Sequence, residues 1–419
     1  MLPIKLLHTA DIHIGMENYG RVDPATGINA RVMDFLRRLS DMADYAIEQG
    51  VDLFVFAGDA YRTRDPNPTY QREFARRIKK IADAGIPVIL LVGNHDMPNV
   101  PRKASSITIF DTLEVPNVIV GDREALHAIT CRRGQPLLVA TAPYPLRTAL
   151  ISREEQQGKS LAELDTLLQN AMIENLQALA GQARQRSDVP AILAGHFSVN
   201  EASHGSEQNI MIGRDAAVPR SVLIDSIWRY VALGHVHKHQ SLNRDAQPPV
   251  VYSGSIERID FGEEHEPKGF VVAEIGDGPT TWQFVPGYRR EARPFVTVRV
   301  DVREQAEPTP AVIAAIEQQR DLSESVVRVI VKLRQEQEAS LNDREIVRAL
   351  EGAYFVAALQ KDVERTDRIR LGAVSVEALT PAELLERYLE VKKTPAERAK
   401  LLLEHGAALI SAMDGASVD

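Results

Sequence analysis

The chain has 419 residues, 44% hydrophobic and 26% charged, which excludes collagen-like, coiled-coil and wholly disordered classes. At ~150 residues per domain, that length suggests two or three domains. Its 49 basic and 58 acidic side chains leave a net charge of −9, so it is not a uniformly basic nucleic-acid coat. No apolar run reaches the ~18 residues of a membrane span. The opening residues carry no signal-peptide pattern, and the single Cys131 excludes an internal disulfide and a thiolate-built zinc site. The expectation is a cytoplasmic protein that does not enter a membrane.

Along the first 290 or so residues, short apolar strands alternate with amphipathic helices, the pattern of an α/β layered domain. Strands are expected at 5–9, 53–57 and 88–92, with helices over 30–49 and 70–84 between them. The capping box Ser160-x-x-Glu163 opens a helix expected to run to Arg186. Strands follow at 191–194, 230–233, 250–253 and 270–275. Between Val285 and Pro294 the texture becomes that of a linker. Beyond it, strands at 295–302 and 326–333, a helix at 308–320 and another from the Asn342 cap to about Leu350 make a small α+β domain. The tail repeats one helix-start signal, Thr380-Pro381-Ala382-Glu383 and Thr394-Pro395-Ala396-Glu397. Each copy opens a short amphipathic helix, with Leu384, Leu385, Tyr388 and Leu389 on the first and Leu401, Leu402 and Leu403 on the second. Helices this short must dock on something to persist in water.

Five segments share one feature: an apolar strand ends and metal-competent side chains follow at once. They are TADIHIG (9–15), VFAGDAY (55–61), LLVGNHD (90–96), ILAGHFS (192–198) and VALGHVHKHQ (231–240). Strand carboxyl ends are where ligands gather in α/β sheets. The candidate ligands are Asp11, His13, Asp59, Asn94, His196, His235 and His237, about the number that two ions sharing a carboxylate require. Imidazole, carboxylate and amide donors without thiolate suit Mn²⁺, Fe or Zn rather than Ca²⁺. His95 is left over, placed to protonate a leaving oxygen. Any one such residue taken alone is more often structural than a ligand; the ordered set of five segments is what argues for metal. Gly158-Lys159-Ser160 imitates the end of a P-loop, but position 153 is Arg rather than Gly, so the chain carries no ATPase signature of its own.

The ordered set resembles the calcineurin-like metallophosphoesterases, and YSGSIERIDFGEEHEPKGF (252–270) with the tail ELLERYLEVKKTPAERAKLLLE (383–404) narrows the resemblance to the SbcD/Mre-eleven nuclease subunits. That resemblance implies a four-layer β-sandwich flanked by helices, a small α+β capping domain and C-terminal partner-binding helices, over 1–288, 289–376 and 377–413. It implies that Asp11, His13 and His237 hold one metal and Asn94, His196 and His235 the second, with Asp59 bridging. His95 becomes the general acid, oriented by Asp96. The cofactor implied is two Mn²⁺, with Mg²⁺ or another divalent ion as the alternative.

The implied function is a 3′→5′ double-strand exonuclease and single-strand or hairpin endonuclease for double-strand-break repair. It would act as a homodimer in the nucleoid-associated cytoplasm, on DNA ends and hairpins, with an SbcC/Rad-fifty-type coiled-coil ATPase gripped by Leu384, Leu385, Tyr388, Leu389 and Leu402. A departure stands at Arg62, where relatives place His or Asp; Arg62 and Arg64 become candidate DNA contacts. The basic run 62–80 reads either as a solvated helix face or in some measure as a dimer contact, with the apolar helix 105–113 as the chosen partner surface. The rival readings are a stand-alone phosphodiesterase or phosphatase with the same metals, and a non-catalytic DNA-end scaffold.

Overall fold

The computed structural model describes residues 2–97, 103–151, 159–203, 205, 216–244, 246–319, 321–364, 381–392 and 394–414. The chain divides into two compact units. One gathers Met1–Val298, Gln318–Val329 and Val347–Leu359; the other gathers Arg299–Glu317, Ile330–Ile346 and Gln360–Asp419.

The chain begins β1 (Ile4–Thr9), α1 (Ala30–Glu48), β2 (Leu53–Phe56), α2 (Pro68–Asp83), β3 (Val88–Leu91), α3 (Ile109–Thr112) and β4 (Val118–Gly121). It continues β5 (Ala125–Thr130), β6 (Pro136–Ala142), α4 (Arg147–Leu150), α5 (Leu161–Arg184), β7 (Ala191–His196), β8 (Ser198–Val199) and β9 (Ala217–Val218). Then come β10 (Trp228–Gly234), β11 (Gln240–Ser241), β12 (Val250–Tyr252), β13 (Phe270–Ile275) and β14 (Thr281–Val285). One six-stranded sheet has the order β14-β13-β1-β2-β3-β4, the other β11-β12-β10-β7-β6-β5. β1, β2 and β3 run parallel, as do β7 and β10, so all five carboxyl ends are available to one edge of the sandwich.

The period-2 alternation of β-strands sorts each strand into two cores. Ile4, Leu6, Leu53 and Val55 face Val139, Ile192, Tyr230 and Ala232 of the other sheet. Leu7, Phe54 and Phe56 face the opposite way, onto Phe35 and Leu39 of α1 and Phe74 and Ile78 of α2. On the far side, Leu193, Val231 and Leu233 pack on Leu168, Met172 and Leu176 of α5. The result is four layers, helix–sheet–sheet–helix. His8, on the inward row of β1, is wholly buried and bonds the Tyr230 hydroxyl (3.1 Å) and the Leu233 carbonyl (3.2 Å). Burial pulls its imidazole down to about 3.

Local signals explain the helix starts. Asn29 Oδ1 accepts the Arg31 N–H at 2.9 Å, and Asn67 with Pro68 opens α2. Ser160 and Glu163 close their box, with Ser160 N–H on Glu163 Oε2 at 2.8 Å. β4, β5 and β6 lie beyond the strands the sequence pattern picks out. β5 is an edge strand with no wholly buried residue, so its apolar face is weak.

The expected apolar helix 105–113 is shorter, confined to Ile109–Thr112. Its apolar residues divide: Ile107 and Phe110 enter the core under α2, while Ile109 and Leu113 stand exposed. After Pro294, β15 (Phe295–Asp301), β16 (Val326–Arg334) and β17 (Phe355–Glu364) form a three-stranded sheet in that order. The helices there are α6 (Pro308–Glu317) and α7 (Asp343–Ala349), the latter opened by Asn342, whose Nδ2 donates to Glu345 Oε1 at 2.7 Å.

Thr380, the first tail cap, lies outside the described residues. α8 (Pro381–Val391) and α9 (Ala396–Asp414) pack on each other, and the second is a 19-residue helix rather than a short one. A single interior Gly406 costs about 1 kcal/mol and does not stop it. Leu384 and Leu385 are half-buried and Leu389 is buried, while Tyr388 and Leu402 are exposed. Among the described residues, no helix is long and apolar enough to cross a membrane.

Candidate metal centre

Donor side chains leave the ends of β1, β2, β3, β7 and β10, and after β1, β2 and β10 they do so on backbone that L-residues rarely adopt. Asp11, His13, Asp59 and His235 all have positive φ, at 53°, 50°, 59° and 95°. Such strain persists only where surroundings over-determine it, and it concentrates at functional sites. Here a ladder does so: Asp11 N–H donates to the Gly58 carbonyl, Ile12 and His13 N–H to that of Asp59, and Ile14 N–H to that of Ala60. Two glycines make the approach possible. A Cβ on Gly58 would overlap His196 Nδ1, and one on Gly93 would overlap Asp59 Oδ1.

All seven candidate ligands are brought together. Asp59 Oδ2 lies 3.5 Å from His196 Nε2 and 3.7 Å from His13 Nε2. Asn94 Oδ1 is 3.1 Å from His196 Nε2 and 3.0 Å from His235 Nδ1. His13 and His237 face each other Nε2 to Nε2 at 3.0 Å, and Asp11 accepts the His235 backbone N–H. Three overlapping groups, Asp11–His13–His237, His13–Asp59–His95 and Asp11–Asp59–His196, each offer ligand atoms within 4.8 Å of one another.

The donor set fits divalent ions. His196 Nδ1 donates to the Ala57 carbonyl at 2.6 Å, which leaves Nε2 facing Asp59 and Asn94. His237 Nδ1 is likewise taken by Glu263 Oε1 at 2.9 Å, so its Nε2 lone pair points at His13. Buried His13 Nδ1 has no hydrogen-bond partner. Ring nitrogens and oxygens crowded together at 3.0–3.7 Å, with an orphaned ring nitrogen among them, make a donor set that suits a cation.

The electrostatics agree. Burial pushes the Asp59 carboxyl up, but the charge and hydrogen bond of His196, with His95 and His13, hold it well below the usual carboxylate range. Burial lowers His196, and the charge and hydrogen bond of Asp59 with the charge of Asp11 outweigh it, lifting that imidazole to about 9, so that with no ion bound Nε2 holds a proton that a cation would displace. Cys131, the one thiol, is buried among sandwich residues and takes no part.

His95 lies at the edge of the cluster, its backbone N–H on Asp59 Oδ1 at 2.8 Å and its ring edge-on to His13. Asp96 does not orient it. The Asp96 carboxylate instead accepts backbone N–H groups of Asp59 (2.9 Å), Ala60 (3.1 Å) and Gly93 (3.1 Å), tying two loops together. Burial, then the Asp59 charge, pushes Asp96 up to about 7 against those bonds. The group on His95 Nδ1 is the Arg62 carbonyl at 2.8 Å, with the Arg62 guanidinium 3.3 Å away.

Arg62, Thr63, Arg64, Asp65, Asn94 and His95 line a cleft of about 390 Å³ beside the cluster. The rest of the basic run faces carboxylates: Arg72, Arg76 and Arg77 meet Glu73, Lys79 meets Asp83, and Lys80 meets Asp44. Along α2 each of these five cations is paired, but with only three carboxylates among them the face stays net positive.

Three residues escape the sequence reading. Tyr144 lays its ring 5.6 Å from that of His235. Glu263 and Lys268, inside the 252–270 stretch, are buried behind His237 with Nζ 3.0 Å from Oε2. Burial raises the Glu263 carboxyl, yet Lys268 and His237 bring it down to about 2.

Sequence comparison adds relatives. The SbcD component of the SbcCD nuclease of Bacillus subtilis is 27% identical over 288 residues, covering 67% of this chain and 69% of that protein. The "DNA double-strand break repair protein Mre11" of Aeropyrum pernix is 24% identical over 305 residues, 71% of this chain and 64% of its own. Among solved structures, a dimetal phosphatase from Danio rerio aligns over 69% of this chain and 97% of its own, at 12% identity and a TM-score of 0.41. Residues 4–239 match the calcineurin-like phosphoesterase family, a stretch that runs from β1 through the His235–His237 turn and includes every strand end bearing a donor. The chain belongs to that family and is a hydrolase of it.

Proposed function

We propose that the chain is a dinuclear-metal phosphodiesterase that cleaves DNA, as both a 3′→5′ exonuclease on duplex ends and an endonuclease on single strands or hairpins. The observation that carries this is the convergence of seven nitrogen and oxygen donors about Asp59 at one sandwich edge. Asp11, His13 and His237 serve one ion, Asn94, His196 and His235 the other, and Asp59 both; Mn²⁺ is the ion of choice. When bound, the pair clamps the phosphate and activates the attacking water.

The chain's own contribution is positional and protonic. Asp96 fixes the loops that carry Asp59 and Asn94. His95 gives its proton to the leaving oxygen, with the Arg62 carbonyl aiming the ring. Arg62 and Arg64, in the adjoining cleft, meet the phosphates of the strand.

DNA as substrate is favoured over small phosphoesters by the SbcD and Mre11 relatives and by the 252–270 stretch, which builds the support of His237. On this reading residues 289–376 cap the nuclease domain, residues 1–288, and residues 377–413 bind a coiled-coil ATPase through Leu384, Leu385, Tyr388, Leu389 and Leu402. Two copies pair through the surface bearing exposed Ile109 and Leu113.

The test is cleavage of a 3′-labelled duplex by the purified chain with Mn²⁺, Mg²⁺ or chelator, beside an Asp59→Ala control. Mn²⁺-dependent nucleotide release that the control lacks is expected. Intact DNA, even with the ATPase added, alongside hydrolysis of bis(p-nitrophenyl) phosphate would turn the reading to a stand-alone phosphodiesterase. Deleting 380–419 should abolish ATPase capture and spare small-substrate hydrolysis; retained capture removes the tail from the interface.

A further inference from the structure

We propose that Glu263 is a positioning residue for the metal centre: it accepts the hydrogen bond of the His237 Nδ1–H and so presents Nε2 of that ring as the donor, while Lys268 locks the carboxylate. The proposal rests on the reading of His237 as a metal ligand.

Glu263 ends a single 3₁₀ turn, Phe261–Glu263, and its carboxylate is fully engaged. Oε1 lies 2.9 Å from His237 Nδ1, and Oε2 accepts Lys268 Nζ at 3.0 Å and the Ile259 N–H at 2.8 Å. Lys268 also reaches Glu266 Oε2 at 2.9 Å and the carbonyl of His237 itself at 3.1 Å, so ring and backbone of His237 are held from one buried place. Arg258 Nε braces the turn through the carbonyls of Glu263 and Glu264, both at 3.2 Å.

A buried lysine–glutamate pair is a poor investment in stability, because desolvating both charges offsets most of their attraction. What this pair does supply is a fixed acceptor with full negative charge on the non-ligating nitrogen. That sets the tautomer and strengthens the donor at Nε2. His196, by contrast, donates its Nδ1–H in a hydrogen bond to a neutral carbonyl, so the two halves of the site have donors of different strength.

Calorimetric titration of the metal-free, full-length protein with Mn²⁺ tests this, with melting temperatures taken alongside. Glu263→Gln keeps an acceptor without the charge, and Glu263→Leu removes both. Removing such an outer partner costs about 10- to 100-fold in metal affinity. We expect about tenfold for Gln and more for Leu, confined to one of two sites. The double variant Glu263→Gln/Lys268→Met removes the charge of both partners and should weaken the same site. It serves as the measurement should a single variant fail to fold.

Unchanged affinity at both sites in a folded variant overturns the proposal. Equal loss at both sites together with a lowered melting temperature also overturns it, since that marks a merely structural role. A wild-type protein that takes up no divalent ion overturns instead the reading of the centre beneath it.

Discussion

The two halves of the centre hold their donors by opposite means. Around Asp59 and Asn94, the backbone is immobilised by glycines with no room for a side chain and by the Asp96 carboxylate collecting N–H groups from two loops. Around His237, the ring is immobilised, by a buried glutamate that a buried lysine holds in turn. The first arrangement fixes where the chain goes; the second fixes which nitrogen is offered. A loop-built carboxylate cannot present a wrong tautomer, whereas an imidazole can, and charge is what prevents it.

The contrast breaks most readily at Asp59. Asp59→Ala removes the shared carboxylate and should lower Mn²⁺-dependent phosphodiester hydrolysis by about 10⁴-fold, equivalent to about 5 kcal/mol of barrier. Steady-state kinetics on bis(p-nitrophenyl) phosphate check it, and a loss under tenfold would remove Asp59 from the centre.

Asp96→Ala comes next. It takes the acceptor from the backbone N–H groups of Asp59, Ala60, Tyr61 and Gly93 and, at about 1–3 kcal/mol per orphaned group, should cost about 4 kcal/mol of stability or more. Urea unfolding of the metal-free protein is the readout. Because both loops loosen together, Mn²⁺ binding should weaken at both sites, the outcome opposite to that expected at Glu263.

His95→Ala should cost about 100-fold in turnover and leave Mn²⁺ stoichiometry at two, a separation that calorimetry beside kinetics makes visible. Retained turnover would move the proton source elsewhere.

The smallest effect lies away from both halves, at His8. Its imidazole sits at about 3 when folded, against 6.5 for an ordinary histidine. The unfolded chain therefore binds the extra proton between those values, and stability falls as pH drops below 6.5. Going from pH 7.0 to 5.5, wild type should lose about 1 kcal/mol more than His8→Gln, measured by urea midpoints. Equal losses would mean that burial does not govern this ring.

The convergence of the seven candidate ligands is legible in the sequence because two signals coincide at each segment: an apolar strand ends, and a glycine or a compact turn lets a polar side chain project from it. Asp96 is legible as a polar residue but not as a loop clasp. Its partners are backbone N–H groups of residues such as Asp59 and Ala60, and an N–H has no residue type to read. Glu263 stands among Asp260, Glu264 and Glu266, and composition cannot say which of four acids is buried. The second tail helix runs longer than its start signal suggests because nothing in its sequence stops it. β5 escapes notice because an edge strand displays no clean buried face.

The crowding at Gly58 and Gly93 has a consequence for how the centre can change over generations. A side chain at either position would have to displace a donor, so both positions are closed to variation by geometry before selection weighs chemistry. Asp59, Asn94 and their neighbours are therefore geometrically tied to those glycines. Novelty in what the site accepts has to enter from its margin, and Arg62, projecting into the cleft beside His95, stands at the first position outward where a substitution meets space instead of the cluster.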